Sequence, residues 1–155
     1  RLRLDAQTVW TDVGALASLA HEVSRRNADE AATTRAQRLL ETVRGPFLPD
    51  EESPWALAVR AHQRQRFSLA MVQVCEDTAQ VDGRAARRLL ERALDVDPAA
   101  EELAHQLIAM HAEHGDLAAA QRVLRLSGAM VHLQTGLPLS PRLRAAATRL
   151  GLSAD

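Results

Sequence analysis

The 155-residue sequence has no lysine, no tyrosine, one cysteine and four aromatic residues. A single cysteine, Cys75, excludes a disulfide framework and fits a reducing compartment, so the cytoplasm is the expected location. No apolar run approaches the roughly 18 residues that a membrane span requires. The opening RLRLDAQTVW alternates charge with leucine instead of setting a basic region before an apolar one, so no secretion signal is visible. All nineteen basic residues are arginine, and isoleucine and asparagine occur once each. With the abundant alanine, that bias follows GC-rich codons and points to a high-GC bacterial genome.

The motifs of several enzyme classes are also missing. There is no G-x-S-x-G elbow, no phosphate-cradling glycine loop and no dinucleotide fingerprint. Glu102 and His105 share a helix face, but a di-iron site needs a second such pair and two further carboxylates. His111 and His114 lack the cysteine or carboxylate that would complete a tetrahedral metal set. Cys75 falls mid-helix, on or near the apolar face of VQVCEDTA, and reads as a small buried hydrophobe. The expectation is a non-enzyme with no cofactor and no metal.

What is present is helix. Aliphatic residues recur at three- and four-residue spacing over nearly the whole chain, and only the first ten residues alternate like a strand. Cap signals at Asp12, Ser53-Pro54, Asp97-Pro98, Asp116 and Ser140-Pro141, with punctuation by Gly83, Gly115 and Gly136, predict helices over 12–26, 31–44, 54–80, 84–95, 98–114, 117–134 and 141–150. Six of these pair into three antiparallel hairpins.

The hairpins repeat. Ala86, Leu89 and Leu90 recur 34 residues later as Ala120, Val123 and Leu124, and Ala70 and Val74 recur as Ala104 and Ile108. That period is the length of a tetratricopeptide repeat. The predicted fold is therefore all-α: a tetratricopeptide-like array of three hairpins plus a C-terminal helix, after a short N-terminal extended segment. Asp77 and His111 stand where such a repeat usually has an aromatic, and Ser127 replaces an alanine. The first hairpin aligns at a different offset, RAQRLLETV (Arg35 to Val43) on AARRLLERA (Ala85 to Ala93), so about 16 residues are inserted between the first and second hairpins. The insertion includes GPFLPDEESPW, Gly45 to Trp55.

GPFLPDEESPW, followed by AVRAHQRQRF, the repeat pair and the late TGLPLSPRL, resembles the bacterial transcriptional activation domain (BTAD) of the Streptomyces antibiotic regulatory protein type over residues 12–150. The resemblance implies a tetratricopeptide-type domain in a regulator whose winged-helix DNA-binding domain lies upstream. RLRLDAQTVWTDV then resembles the end of that wing, giving 1–11 as upstream domain or linker, 12–150 as the helical domain and 151–155 as a tail. The implied function is non-catalytic, through protein contacts with RNA polymerase, with another domain of the parent, or with itself as a homodimer; DNA is reached only through the upstream domain. A second reading is a small-molecule sensor controlling the parent regulator.

Charge is unevenly placed. Leu117 to Ala154 holds five arginines and no acid, whereas the first 116 residues hold 14 arginines and 19 acids. The aromatics do not interleave with arginine, which disfavours direct nucleic-acid binding. Candidate partner contacts are Asp50, Glu51, Glu52, Arg60, Arg64, Arg122 and Arg125, with Arg60 and Arg64 read chiefly as a solvated face. Phe47 and Trp55 are expected to anchor the inserted loop by burial, and the three acids to sit at the positive end of the next helix.

Overall fold

The computed structural model describes residues 12–24, 31–43 and 50–153, and these form seven α-helices. They are α1 (Asp12–Ser24), α2 (Ala32–Thr42), α3 (Pro54–Ala79), α4 (Gly83–Val96), α5 (Glu101–Glu113), α6 (Leu117–Thr135) and α7 (Pro141–Arg149). The fold is all-α, as expected, and the expected bounds hold to within three residues wherever they fall on described residues. The extended N-terminal segment, the last turn expected of the first helix and Phe47 lie outside them. Among the described residues no helix is long and apolar enough to cross a membrane.

Consecutive helices pack on one another from α1 to α6, and α1 also touches α3, α2 touches α4, α3 touches α5, and α5 touches α7. Repeat-related positions share burial. Ala36, Ala86 and Ala120 are fully buried, as are Leu90 and Leu124, with Leu40 nearly so. The small alanines let helices approach closely while the leucines fill the space between them. Each fully buried leucine contributes about 1.5 to 3 kcal/mol relative to exposure. Two apolar clusters result. The larger joins α1 to α5 around Leu39, Phe67, Met71, Leu90, Leu103 and Leu107. The smaller joins α5, α6 and α7 around Ile108, Leu124, Val131 and Leu143. Leu94 and Val123 pack against both.

Capping followed chemistry in some places and not in others. Asp116 accepts from Ala119 N–H at 2.9 Å, and Ser140 Oγ accepts from Leu143 N–H at 3.3 Å. Gly136 closes α6 at φ 69°, where a side chain is strained, and Gly115 takes φ 75° in the α5–α6 turn. Gly83, expected to punctuate an end, instead opens α4 behind Asp82, whose carboxylate accepts from the N–H groups of Arg84 and Ala85. Asp97 does not cap the following helix either. It ends α4, and α5 begins only at Glu101.

The long helix α3 explains the irregular offset. Its second half, residues 67–79, stands 34 residues before α5 and matches it in length. That half holds every buried residue of α3 except Ala56. The first half, residues 54–66, falls in the stretch that the sequence alignment reads as inserted between the first two hairpins.

Candidate functional site

The inserted half of α3 makes one wall of a cleft of about 470 Å³. Leu57, Arg60, Gln63, Arg64 and Phe67 line it from α3, Leu16 from α1, Val43 from the end of α2, Val96 to Pro98 from the α4–α5 connection and Gln134 from the end of α6. Its walls are largely aliphatic, with a few polar groups directed inward, the usual make-up of a ligand or peptide pocket. Gln63 Oε1 is enclosed and has no hydrogen-bond partner among the described residues.

Arg64 and Asp97 close one side as a two-bond pair, Nε to Oδ2 at 2.8 Å and Nη2 to Oδ1 at 2.7 Å. Hydrogen bonding to Asp97 raises the Arg64 guanidinium above its already high ordinary pKa. Arg60 Nη2 donates to the Glu51 carbonyl at 2.9 Å. These two arginines are thus tied into the fold while remaining partly solvated, Arg64 with 38% of its side chain exposed. The reason is that 54–66 has little apolar burial of its own and is held by charged hydrogen bonds.

The acids before α3 divide in role. Glu51 accepts from Ser53 N–H at 2.9 Å, and that bond holds its carboxyl below the ordinary value. Asp50 and Glu52 are exposed. The Ser53 side chain makes no cap hydrogen bond, so the cap expected of it does not form. Trp55 is 57% exposed, which corrects the expectation that burial would make it an anchor. At the far end, Arg122 and Arg125 are exposed on α6.

The other chemical groups are dispersed. Among the described residues, no three histidine, cysteine or acidic side chains converge as a metal site. His105 lies beside Glu101, Glu102, Ser140 and Arg142 in a hollow of about 30 Å³. Burial, then Arg142 and Arg149, push its pKa down. His114 Nδ1 is 2.7 Å from the Met110 carbonyl. His111 is buried, and burial and Arg87 lower its pKa. Cys75 is 1% exposed, and burial together with Glu76 pushes its thiol up to about 12, leaving no thiolate nucleophile at neutral pH.

Sequence reasoning missed three features: the reach of Arg64 to Asp97, the place of Gln134 at the cleft, and the exposed leucines of α6. The last had a readable signal. Leu126, Met130 and Leu133 follow helical spacing, but off the core stripe formed by Ala120, Leu124, Ser127 and Val131. No family model matches the chain, and neither does any curated protein or solved structure. The fold and site define it as an all-α helical protein with a surface cleft.

Proposed function

We propose that the chain is a non-catalytic interaction domain of a bacterial DNA-binding transcription regulator, built as a degenerate tetratricopeptide-type array of the BTAD kind. The observation that carries an interaction role is the exposure of Leu57 on one wall of the cleft, with further exposed large apolar side chains close in sequence to lining residues. Trp55 and Leu57 stand at the start of α3, and Leu133 and Leu137 flank Gln134 in sequence at the other side. Contiguous exposed apolar surface marks contact sites for other macromolecules. The recurrence of burial at 34-residue spacing supports the repeat reading. The transcriptional part rests on the resemblance of GPFLPDEESPW and TGLPLSPRL to that family. Partners of this kind are RNA polymerase, another domain of the parent, or the chain itself, in the cytoplasm.

Deleting this segment from the parent regulator is expected to leave operator binding measurable and abolish activation of a reporter. Full activation by the DNA-binding domain alone overturns the proposal. A second reading, a small-molecule sensor, is favoured by the largely apolar cleft of about 470 Å³. A ligand seated in that cleft raises the melting temperature of the folded chain in a thermal-shift screen.

A further inference from the structure

Helix α7 has nine residues, too few to hold its shape alone, since isolated helices below about 12 residues are marginal in water. It is held by contacts before, along and after it. Before it, buried Leu139 lies over Gly128 of α6, its Cδ1 3.5 Å from where a side chain there would begin. Glu101 Oε2 of α5 accepts from Ser140 N–H at 2.9 Å. Along the helix, Leu143 and Ala147 join Ile108, Leu124 and Val131 in the smaller cluster. After it, Gly151 turns the chain at φ 70° and Leu152 packs on the same cluster. One side chain of α6 then grips the backbone of Ser153 twice. Gln121 Nε2 donates to the Ser153 carbonyl at 2.6 Å, and Gln121 Oε1 accepts from Ser153 N–H at 3.0 Å.

His105 stands beneath these contacts, half-buried in the hollow between α5 and α7. Arg142 and Arg149 of α7 act on it, and Glu101 and Glu102 share the hollow from its own helix, the first with its carboxylate on Ser140 N–H. Among the described residues no charged group of α3, α4 or α6 is a cause of its lowered pKa. A proton on His105 sets a third positive charge against two arginines of α7, in a place that water screens incompletely. We propose that residues 139–153 form a pH-sensitive strap, which releases α7 from α5 and α6 when His105 takes up a proton and uncovers the apolar slot of Ile108, Leu124 and Val131. The strap is a property of this chain alone and stands independently of the activator reading.

Release is local because α5 is held from its other side. Leu103, Leu107 and Met110 belong to the larger cluster, which has no residue of α7, so α5 keeps its packing when α7 leaves. A freed α7 loses its helix along with its contacts, so its amides open together. The direction with pH follows from proton uptake. Burial first, then Arg142 and Arg149, hold His105 below its ordinary value of 6.5, and release returns the imidazole to water. The released state therefore binds the proton more tightly. Closure is fully present above the ordinary value and weakens as pH falls from there towards the closed-state value, the opening constant rising by at most about tenfold per pH unit for one proton.

Amide hydrogen exchange of the intact chain tests this at about pH 7.5 and about pH 5.5, either side of the ordinary histidine value, read as protection factors that divide out the intrinsic effect of pH. The expected result is a several-fold loss of protection across residues 143–153 on acidification, with residues 103–108 and 67–79 unchanged. His105→Gln, neutral at both values, is expected to keep the strap closed and abolish the dependence, its circular dichroism spectrum showing that it folds. Arg142→Gln with Arg149→Gln is expected to raise the imidazole titration followed by NMR and to flatten the loss. Gln121→Ala is expected to lower protection throughout 143–153 at both pH values. His111, near the other end of α5, is the control: His111→Leu leaves the dependence in 143–153 in place. Protection there that ignores pH, or that changes as much in His105→Gln, overturns the proposal. A loss shared equally by α5, α6 and α7, or a Gln121→Ala effect confined to Ser153, also overturns it.

Discussion

Asp77 lies on the buried side of α3, where a carboxylate is tolerated only with a partner. Its Oδ2 is 3.3 Å from Nη2 of Arg35 on α2, the two side chains being 22% and 7% exposed, and Gln73 Nε2 donates to its other oxygen at 3.4 Å. Arg35→Met is expected to lower unfolding free energy by about 2 kcal/mol, below the range for a fully enclosed pair because Asp77 keeps some contact with water. Arg35→Met with Asp77→Leu recovers most of that loss, because an apolar pair leaves no uncompensated charge; chemical denaturation of both variants reads the difference. The departure from an aromatic at 77 was legible in the sequence. Its cause was not, because the pairing spans 42 residues and needs the register of α2 on α3. The same register position one repeat later is His111, and the alignment that places Arg35 in α2 places Ala85 in α4. Alanine offers nothing to bond, and His111 Nδ1 has no hydrogen-bond partner among the described residues.

At the scale of elements, the helices followed their apolar spacing closely, and the largest departure, at Asp97, falls where a side chain is claimed from far along the chain. Asp97-Pro98 has the local form of a helix start. Two short charge-assisted bonds to Arg64 compete with an N-cap for the same carboxylate, and they win. The turn from Pro98 to Ala100 then delays α5 to Glu101. This contact spans 33 residues and ties the inserted half of α3 to the α4–α5 connection. Arg64→Met is expected to lower stability by about 1 to 2 kcal/mol, discounting the charged hydrogen bonds because the Arg64 side chain is 38% exposed. The loss is also expected to be local. Amide exchange in residues 57–66 accelerates while residues 67–79, which carry the buried side chains, stay protected. Uniform acceleration along α3 contradicts the division of this helix into an inserted half and a repeat half.

In the whole molecule α5 is the shared element. Leu103, Leu107 and Met110 belong to the larger cluster, and Ala104 and Ile108 to the smaller, so the two cores are sides of one helix. His111 lies buried near the end of that helix. Arg87 and Glu91 of α4, Asp116 of the following turn and Arg122 of α6 act on it, and burial is the largest cause of its lowered pKa. The folded state therefore prefers neutral His111, and the unfolded chain takes up its proton first, near the ordinary value of 6.5. Between the unfolded and folded values the unfolded state binds more protons. Stability is thus fully present above the unfolded pKa and declines as pH falls through the window below it, down to the folded value. His105 titrates with the same sign, so it adds to the decline. His111→Leu removes an enclosed nitrogen that has no hydrogen bond and is expected to be neutral or stabilising by about 1 kcal/mol near neutral pH. The discriminating measurement is the melting temperature from about pH 7.5 down to about pH 5, spanning the ordinary histidine range. His111→Leu flattens the fall, and His105→Leu flattens it in the same sense. Equal slopes in the wild-type and His111→Leu proteins contradict a role for this buried imidazole in coupling the two cores to pH.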